Sequence, residues 1–169
     1  MRRLSLMTVA ACAALIFGTA VHAQAPIPTA APPPAPPPYG EPITLEQAKK
    51  VAAAAEAEAK KLNLNDAVAI VEPNGQLVYF EKMDGTQYGG VNVALDKATS
   101  AAFFRRSTMA FDAGLRAGAT YLLQLRGANA VPGGVPIIFN GKLIGGIGIS
   151  GGNGAEDNQV AIAGAAVLK

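Results

Sequence analysis

Gly133-Gly134-Val135-Pro136-Ile137-Ile138-Phe139-Asn140-Gly141-Lys142-Leu143-Ile144-Gly145-Gly146-Ile147-Gly148-Ile149-Ser150-Gly151-Gly152 is the stretch that decides how this chain folds. Each glycine surrenders more backbone freedom on folding than any other residue, so glycine this dense marks sharp bends or close approach of other groups. Asn140-Gly141 supplies positive φ at both central positions of a two-residue turn, the strongest short hairpin signal. The spacing predicts a strand over Val135–Phe139 and a partner strand over Lys142–Ser150. A helix is expected over Gly154–Val167, with Glu156 and Asp157 in its first turn, where the helix dipole favours acids.

The same alternation of helix and hairpin runs upstream. Thr44-Leu45-Glu46-Gln47 reads as a capping box. Leu45, Ala48, Val51, Ala52, Ala55, Ala59 and Leu62 then recur at helical spacing, with Glu46–Lys50 and Glu56–Lys60 as i,i+4 pairs on the wet side. Ala67–Val71 and Gln76–Glu81 flank the turn Pro73-Asn74-Gly75 and read as a second hairpin. Helical pieces are expected over Val91–Arg106 and Ser107–Ala113, and a short turn around Tyr121-Leu122-Leu123. Hairpins mean antiparallel strands, so the fold class is α+β and not a doubly wound parallel sheet.

Two well-known motifs match the glycine-rich end by letters alone. Gly146-Ile147-Gly148-Ile149-Ser150-Gly151 fits G-x-G-x-x-G, but the dinucleotide reading needs a further strand and an acid about 20 residues on, and too little chain follows. Gly148-Ile149-Ser150-Gly151-Gly152 fits the nucleophile elbow G-x-S-x-G, whose serine needs a base, usually histidine. The single histidine is His22. A Ser–Lys arrangement stays open, with no particular lysine singled out; the plainer reading makes Ser150 a turn residue among glycines that permit close packing. An anion site at the backbone N–H groups of this turn also stays open, opposed by the acids at the same positive end.

The N-terminal part carries different information. Arg2-Arg3, the apolar run Leu6–Val21 and Val21-His22-Ala23 form a secretory signal pattern over residues 1–23. Val9-Ala10-Ala11-Cys12 resembles a lipoprotein box placed unusually early. Nine of the chain's 12 prolines fall within residues 24–42, a composition that favours extended polyproline II and reads as a disordered linker or stalk. Residues 43–169 are the size of one ordinary domain. Removal of the leader takes away the single cysteine, the single histidine and two of the 14 basic residues, leaving 12 basic against 12 acidic. A neutral domain lacks the basic footprint of nucleic-acid binding. No later stretch is long and apolar enough to span a membrane. The expected location is periplasmic or secreted.

Among the charged residues, Lys97, Arg105 and Arg106 read either as solvated charges or as a cationic rim for a carboxylate ligand. Glu156, Asp157 and Lys97 are the acid–base candidates. Tyr79, Tyr88, Tyr121, Met83 and Met109 are residue types that can hold a haem iron axially, and each reads more simply as core or surface.

Ala94-Leu95-Asp96-Lys97-Ala98-Thr99-Ser100-Ala101, the run from Gly127 through Gly133-Gly134-Val135-Pro136-Ile137, and Gly145–Gly151 with Glu156-Asp157 together resemble the GlcG/HbpS family of haem-binding-type proteins, over essentially all of Ile43–Lys169. The resemblance implies a profilin-like antiparallel sheet of about five strands with helices on both faces, assembly into homo-oligomers, and haem or a related small molecule as ligand. No histidine remains after the leader to ligate it, and the metal ligand is left unassigned. The expected ligand-binding residues are Lys97, Thr99, Arg105, Gly133, Gly134, Val135, Pro136, Ser150 and Gly151. A binding protein is expected in preference to an enzyme. The alternatives are an enzyme acting on a small metabolite carboxylate and an oligomeric accessory subunit for a partner such as a sensor or dehydrogenase.

Overall fold

A computed structural model describes residues 35–168; the expected leader and most of the proline-rich stretch lie outside the described residues. The elements are α1 (Leu45–Lys61), β1 (Ala67–Val71), β2 (Leu77–Lys82), α2 (Gly90–Phe104), α3 (Thr108–Arg116), a 3₁₀ turn (Thr120–Gln124), β3 (Gly134–Phe139), β4 (Lys142–Ser150) and α4 (Gly154–Ala165). The strands form one sheet in the order β2-β1-β4-β3, with every neighbouring pair antiparallel.

Helices cover both faces. On one face Val68 and Ile70 of β1, Ile137 of β3, and Ile147 and Ile149 of β4 pack with Ala48, Val51, Ala52, Ala55 and Ala59 of α1 and with Val160 and Ala161 of α4. Each isoleucine or valine taken wholly out of water there contributes roughly 1.5–3 kcal/mol. On the other face Ala67, Ala69 and Val71 meet Ala94, Ala98 and Ala102 of α2. Small residues on both sides bring helix and sheet backbones close. Gly146 and Gly148 sit directly beneath α2, where a methyl group at Gly148 would overlap the Ala94 carbonyl. The glycines of β4 are thus the floor for a helix.

Local signals explain the boundaries. Thr44 caps α1, accepting from Gln47 N at 3.2 Å while Gln47 Oε1 accepts from Thr44 N at 3.0 Å. Asn140 and Gly141 take φ of 49° and 73°, the two positive values the β3–β4 turn requires. Arg105 ends α2 in the left-handed conformation, two residues before Ser107 caps α3. Gly114, just past the expected Ser107–Ala113 helix, lies inside α3, where it makes room for Leu122.

The expectation of about five strands is corrected to four among the described residues. β1 pairs with β4 from Gly146 to Ser150 only, and residues 38–43 occupy the vacated side of β4. Leu143 N donates to the Pro38 carbonyl, Gly40 N to the Leu143 carbonyl and Ile43 N to the Ile144 carbonyl. This segment makes a single parallel bridge, Tyr39 with Leu143, and not a strand. Pro38 and Pro42 have no N–H to give a ladder, which accounts for the interruption. Ordered pairing with the sheet therefore begins ahead of Ile43.

Candidate functional site

The residues expected to bind ligand fall into two groups on different sides of α2. The first group is internal. Lys97 is neither a solvated charge nor part of a surface rim: its side chain is 1% exposed and lies 2.6 Å from Asp157 Oδ2. Its ammonium also donates to the Ile149 carbonyl at 2.8 Å. Asp157 Oδ1 accepts from Gly152 N at 2.8 Å and Gly151 N at 3.3 Å. One carboxylate thus fixes the lysine and the turn after β4 together.

The Gly133–Pro136 block wraps this ion pair. Gly133, at φ 118°, leaves room for Lys97 Nζ and the Asp157 Cβ, and its carbonyl accepts from Ile149 N at 2.9 Å. Gly134 lies against the Lys97 carbonyl, and its N–H donates to the buried Thr108 hydroxyl at 2.9 Å. Val135 and Pro136 are half-buried in the edge strand β3, and Ser150 is buried at the end of β4. The N–H groups that an anion would need are already engaged inside the chain. Asn153 Oδ1 accepts from Ala155 N and Glu156 N, Glu156 accepts from Asn153 N, and Asp157 takes Gly151 and Gly152. Of the acid–base candidates, Lys97 and Asp157 meet but in a sealed place; Glu156 is spent in the capping box of α4.

The second group faces out. Thr99 lines a cavity of about 280 Å³ with Asp96, Gly127, Ala128 and Asn129. Two glycines with left-handed φ close its neighbourhood: Gly75 at 82° in the β1–β2 turn and Gly127 at 81°. A methyl group at Gly75 would stand 2.8 Å from the Phe103 ring and 3.0 Å from the Thr99 methyl, and one at Gly127 would touch the same ring at 3.5 Å. Phe103 is therefore a partly exposed aromatic surface held between two turns. The loop is tied down by Asn129 N, which donates to the buried Ser100 hydroxyl at 2.9 Å.

Arg105, just past the end of α2, is already partnered. Its Nη1 donates to the Pro37 carbonyl at 3.2 Å and its guanidinium lies 4.9 Å from the centre of the Tyr39 ring. The Tyr39 hydroxyl donates to the Phe103 carbonyl at 2.9 Å. Sequence reasoning missed Tyr39 and Phe103: the first stood in a proline-rich tract, and the second lacks any periodic signal beyond its place on a helix.

Asp66, between α1 and β1, is 0% exposed, and neither of its carboxylate oxygens makes a well-formed hydrogen bond among the described residues. Burial pushes its pKa up to about 6; Asp157 pushes the same way, and Lys97 and the Gly152 amide pull against them.

The tyrosines and methionines are scattered. Tyr79 donates to Glu81 at 3.0 Å, which holds its own pKa above the usual tyrosine value. Met83 Sδ accepts from Asp66 N, and Tyr88 is 92% exposed. None of them lines the Thr99 cavity. No group of three or more His, Cys, Asp or Glu suited to a metal ion occurs among the described residues. No described helix is long and apolar enough to cross a membrane.

Residues 43–166 match the family model described as haem degrading protein HbpS-like. Among curated relatives, an uncharacterized 15.0 kDa protein from the dhaT-dhaS intergenic region of Citrobacter freundii is 35% identical over 123 residues, 70% of this chain and 87% of that protein. Protein GlcG of Escherichia coli is 33% identical over 108 residues, 64% of this chain and 81% of that protein. A crystal structure of a double mutant of HbpS from Streptomyces reticuli superposes with a TM-score of 0.71 at 34% identity, covering 84% of this chain and 99% of that one. With that match running from Ile43 through α4, the chain belongs to the HbpS-like family, the GlcG/HbpS group that its glycine-rich blocks resemble.

Proposed function

We propose that this chain is an exported small-molecule-binding protein whose ligand is haem or a related flat compound. The observation that carries this reading is the cavity lined by Asp96, Thr99, Gly127, Ala128 and Asn129, with the partly exposed Phe103 ring packed against the neighbouring Gly75 and Gly127 turns. A flat ring stacks on Phe103 and places its edges against Thr99, Asn129 and the exposed Arg126. The family's haem-degrading description supports a tetrapyrrole as the first ligand to test. The cavity does not fit a metal gripped axially, since its lining includes no His, Cys, Tyr or Met. The ligand is accordingly held through its ring and edges. Export is supported by Arg2-Arg3 and the apolar run Leu6–Val21.

The test is titration of the full chain, carrying no histidine tag, with haem and in parallel with metal-free protoporphyrin, followed by absorbance and fluorescence. A His22→Ala control removes the one histidine. Saturable binding of both at micromolar concentration is expected, with Phe103→Ala weakening both. No saturable change with either compound overturns the reading. Binding of haem alone would overturn the ring-held version. N-terminal sequencing of protein recovered from the cell envelope should begin at Gln24; recovery of intact Met1 in the cytoplasm overturns export.

A second reading, self-assembly, is favoured by the apolar surface after α3. Leu123 is 73% exposed and Tyr121 66%, with Leu125 and Val131 close by in sequence. Light scattering on the Leu123→Glu variant tests it: a smaller particle than the unaltered chain is expected, and an unchanged monomer in both overturns it.

A further inference from the structure

The Thr99 cavity leaves one internal feature unused. Asp66 enters the head of β1 fully buried, and neither carboxylate oxygen makes a well-formed hydrogen bond within the described chain, the Gly152 amide offering weak backbone support. Its surroundings are closely built. Gly151 has no room for a Cβ because Asp66 Oδ1 and the Asn65 carbonyl stand there. The Asp66 N–H donates to Met83 Sδ at 3.4 Å. The charged groups that face it are Asp157 and Glu156 from α4 and Lys97 from α2. The Gly152 amide lies between the two aspartates and donates to Asp157 at 2.8 Å. Met83, Asn65 and the two glycines are neutral.

The charge count is therefore unbalanced. One ammonium serves two buried carboxyl groups, and Asp157 already holds it at 2.6 Å. Leaving a buried carboxylate unpaired is costly, so the group takes up a proton or finds a partner.

We propose that Asp66, Asp157 and Lys97 form a proton-operated latch on the turn between β4 and α4. With Asp66 protonated, Asp157 keeps both Lys97 and the amides of Gly151 and Gly152, and the turn is closed. When Asp66 ionises, two carboxylates compete for one lysine, Asp157 loosens its hold on the amides, and the first turn of α4 loosens from the end of β4. The proton leaves to solvent, and no other group changes its covalent state. Since Lys97 also supports the Gly133–Gly134 backbone, the loosening reaches β3 as well.

The test compares the full chain with Asp66→Asn, which keeps the shape and removes the charge. Urea unfolding and amide protection at Gly151 and Gly152 are followed from pH 4.5 to 8. In the unaltered chain, protection at both glycines is expected to fall at least ten-fold as pH rises from 5 to 7.5. In the variant it should stay flat, with an unfolding constant at pH 8 at least ten-fold below that of the unaltered chain. Parallel pH profiles in the two proteins overturn the latch. Should the variant fail to fold, carboxyl-carbon NMR on the unaltered chain decides. An aspartate titrating near pH 6 in step with the Gly151 and Gly152 amides supports it. Ionisation complete below pH 5, or amides that do not move, overturns it.

Discussion

Lys97 on α2 and Asp157 on α4 form an ion pair 2.6 Å long with side chains 1% and 4% exposed, although 60 residues separate them in the sequence. Removing one member of such a pair strands the other. Asp157→Ala deletes the lysine's partner and the acceptor for two turn amides, and is expected to cost about 3–5 kcal/mol. The urea unfolding midpoint at pH 7 measures it. A loss under 1 kcal/mol would show that the pair is dispensable.

The contact between β4 and α2 predicts a sharp contrast among glycines. Gly148→Ala drives a methyl group into the Ala94 carbonyl and is expected to cost several kcal/mol, beyond the about 1–3 kcal/mol of ordinary overpacking. Gly89→Ala meets nothing within 4 Å at an ordinary φ of −63° and should lie within about 0.5 kcal/mol of the unaltered protein. Thermal melting of the two variants side by side checks the difference.

Asp66 predicts a pH dependence of unusual sign. Its pKa rises from 3.8 to about 6 on folding, so between those values the folded protein holds a proton that the unfolded chain has released. The destabilising contribution is full above about pH 6 and vanishes as pH falls through 3.8, amounting to roughly 3 kcal/mol at most. Asp66→Asn should erase this difference, and unfolding curves at pH 4 and pH 8 measure it.

Capping gives a calibrated small effect. Thr44→Ala removes the acceptor for Gln47 N and is expected to cost about 1 kcal/mol. Asn153→Ala removes the acceptor for two amides of α4 and should cost as much or more. Denaturant midpoints of the two variants against the unaltered chain test the ranking.

The ligand face predicts separable phenotypes. Phe103→Ala, at a partly exposed position, should weaken porphyrin binding while lowering the melting temperature by only a few degrees. Asp157→Ala should do the reverse, lowering stability first. Binding at a temperature where each variant is fully folded distinguishes them.

What the sequence made readable was whatever is local. Asn140-Gly141 placed the β3–β4 turn, and Thr44-Leu45-Glu46-Gln47 placed the start of α1, because turn and cap chemistry act over three or four residues. The charged residues were read less well. Lys97 looks like any helix-surface lysine until the fold brings Asp157 beside it, and that meeting is a tertiary event with no local trace. Asp66 follows a turn and carries no mark of burial. Tyr39 stood in proline-rich company, so its link to Phe103 and Arg105 was hidden by composition. The glycine block told of close approach but not of what approaches; α2 fills that place.

Residues 38–43 have a consequence for handling the protein. They shield the part of β4 that β1 does not reach, and all but Ile43 lie ahead of the point where the family-model match begins. A chain shortened to the family boundary would leave the Leu143 N–H and carbonyl bare on an inner strand, an invitation to strand exchange and aggregation between copies. The short proline-bounded strip is in effect a built-in solubility guard, and the useful domain starts a few residues before the family-model boundary.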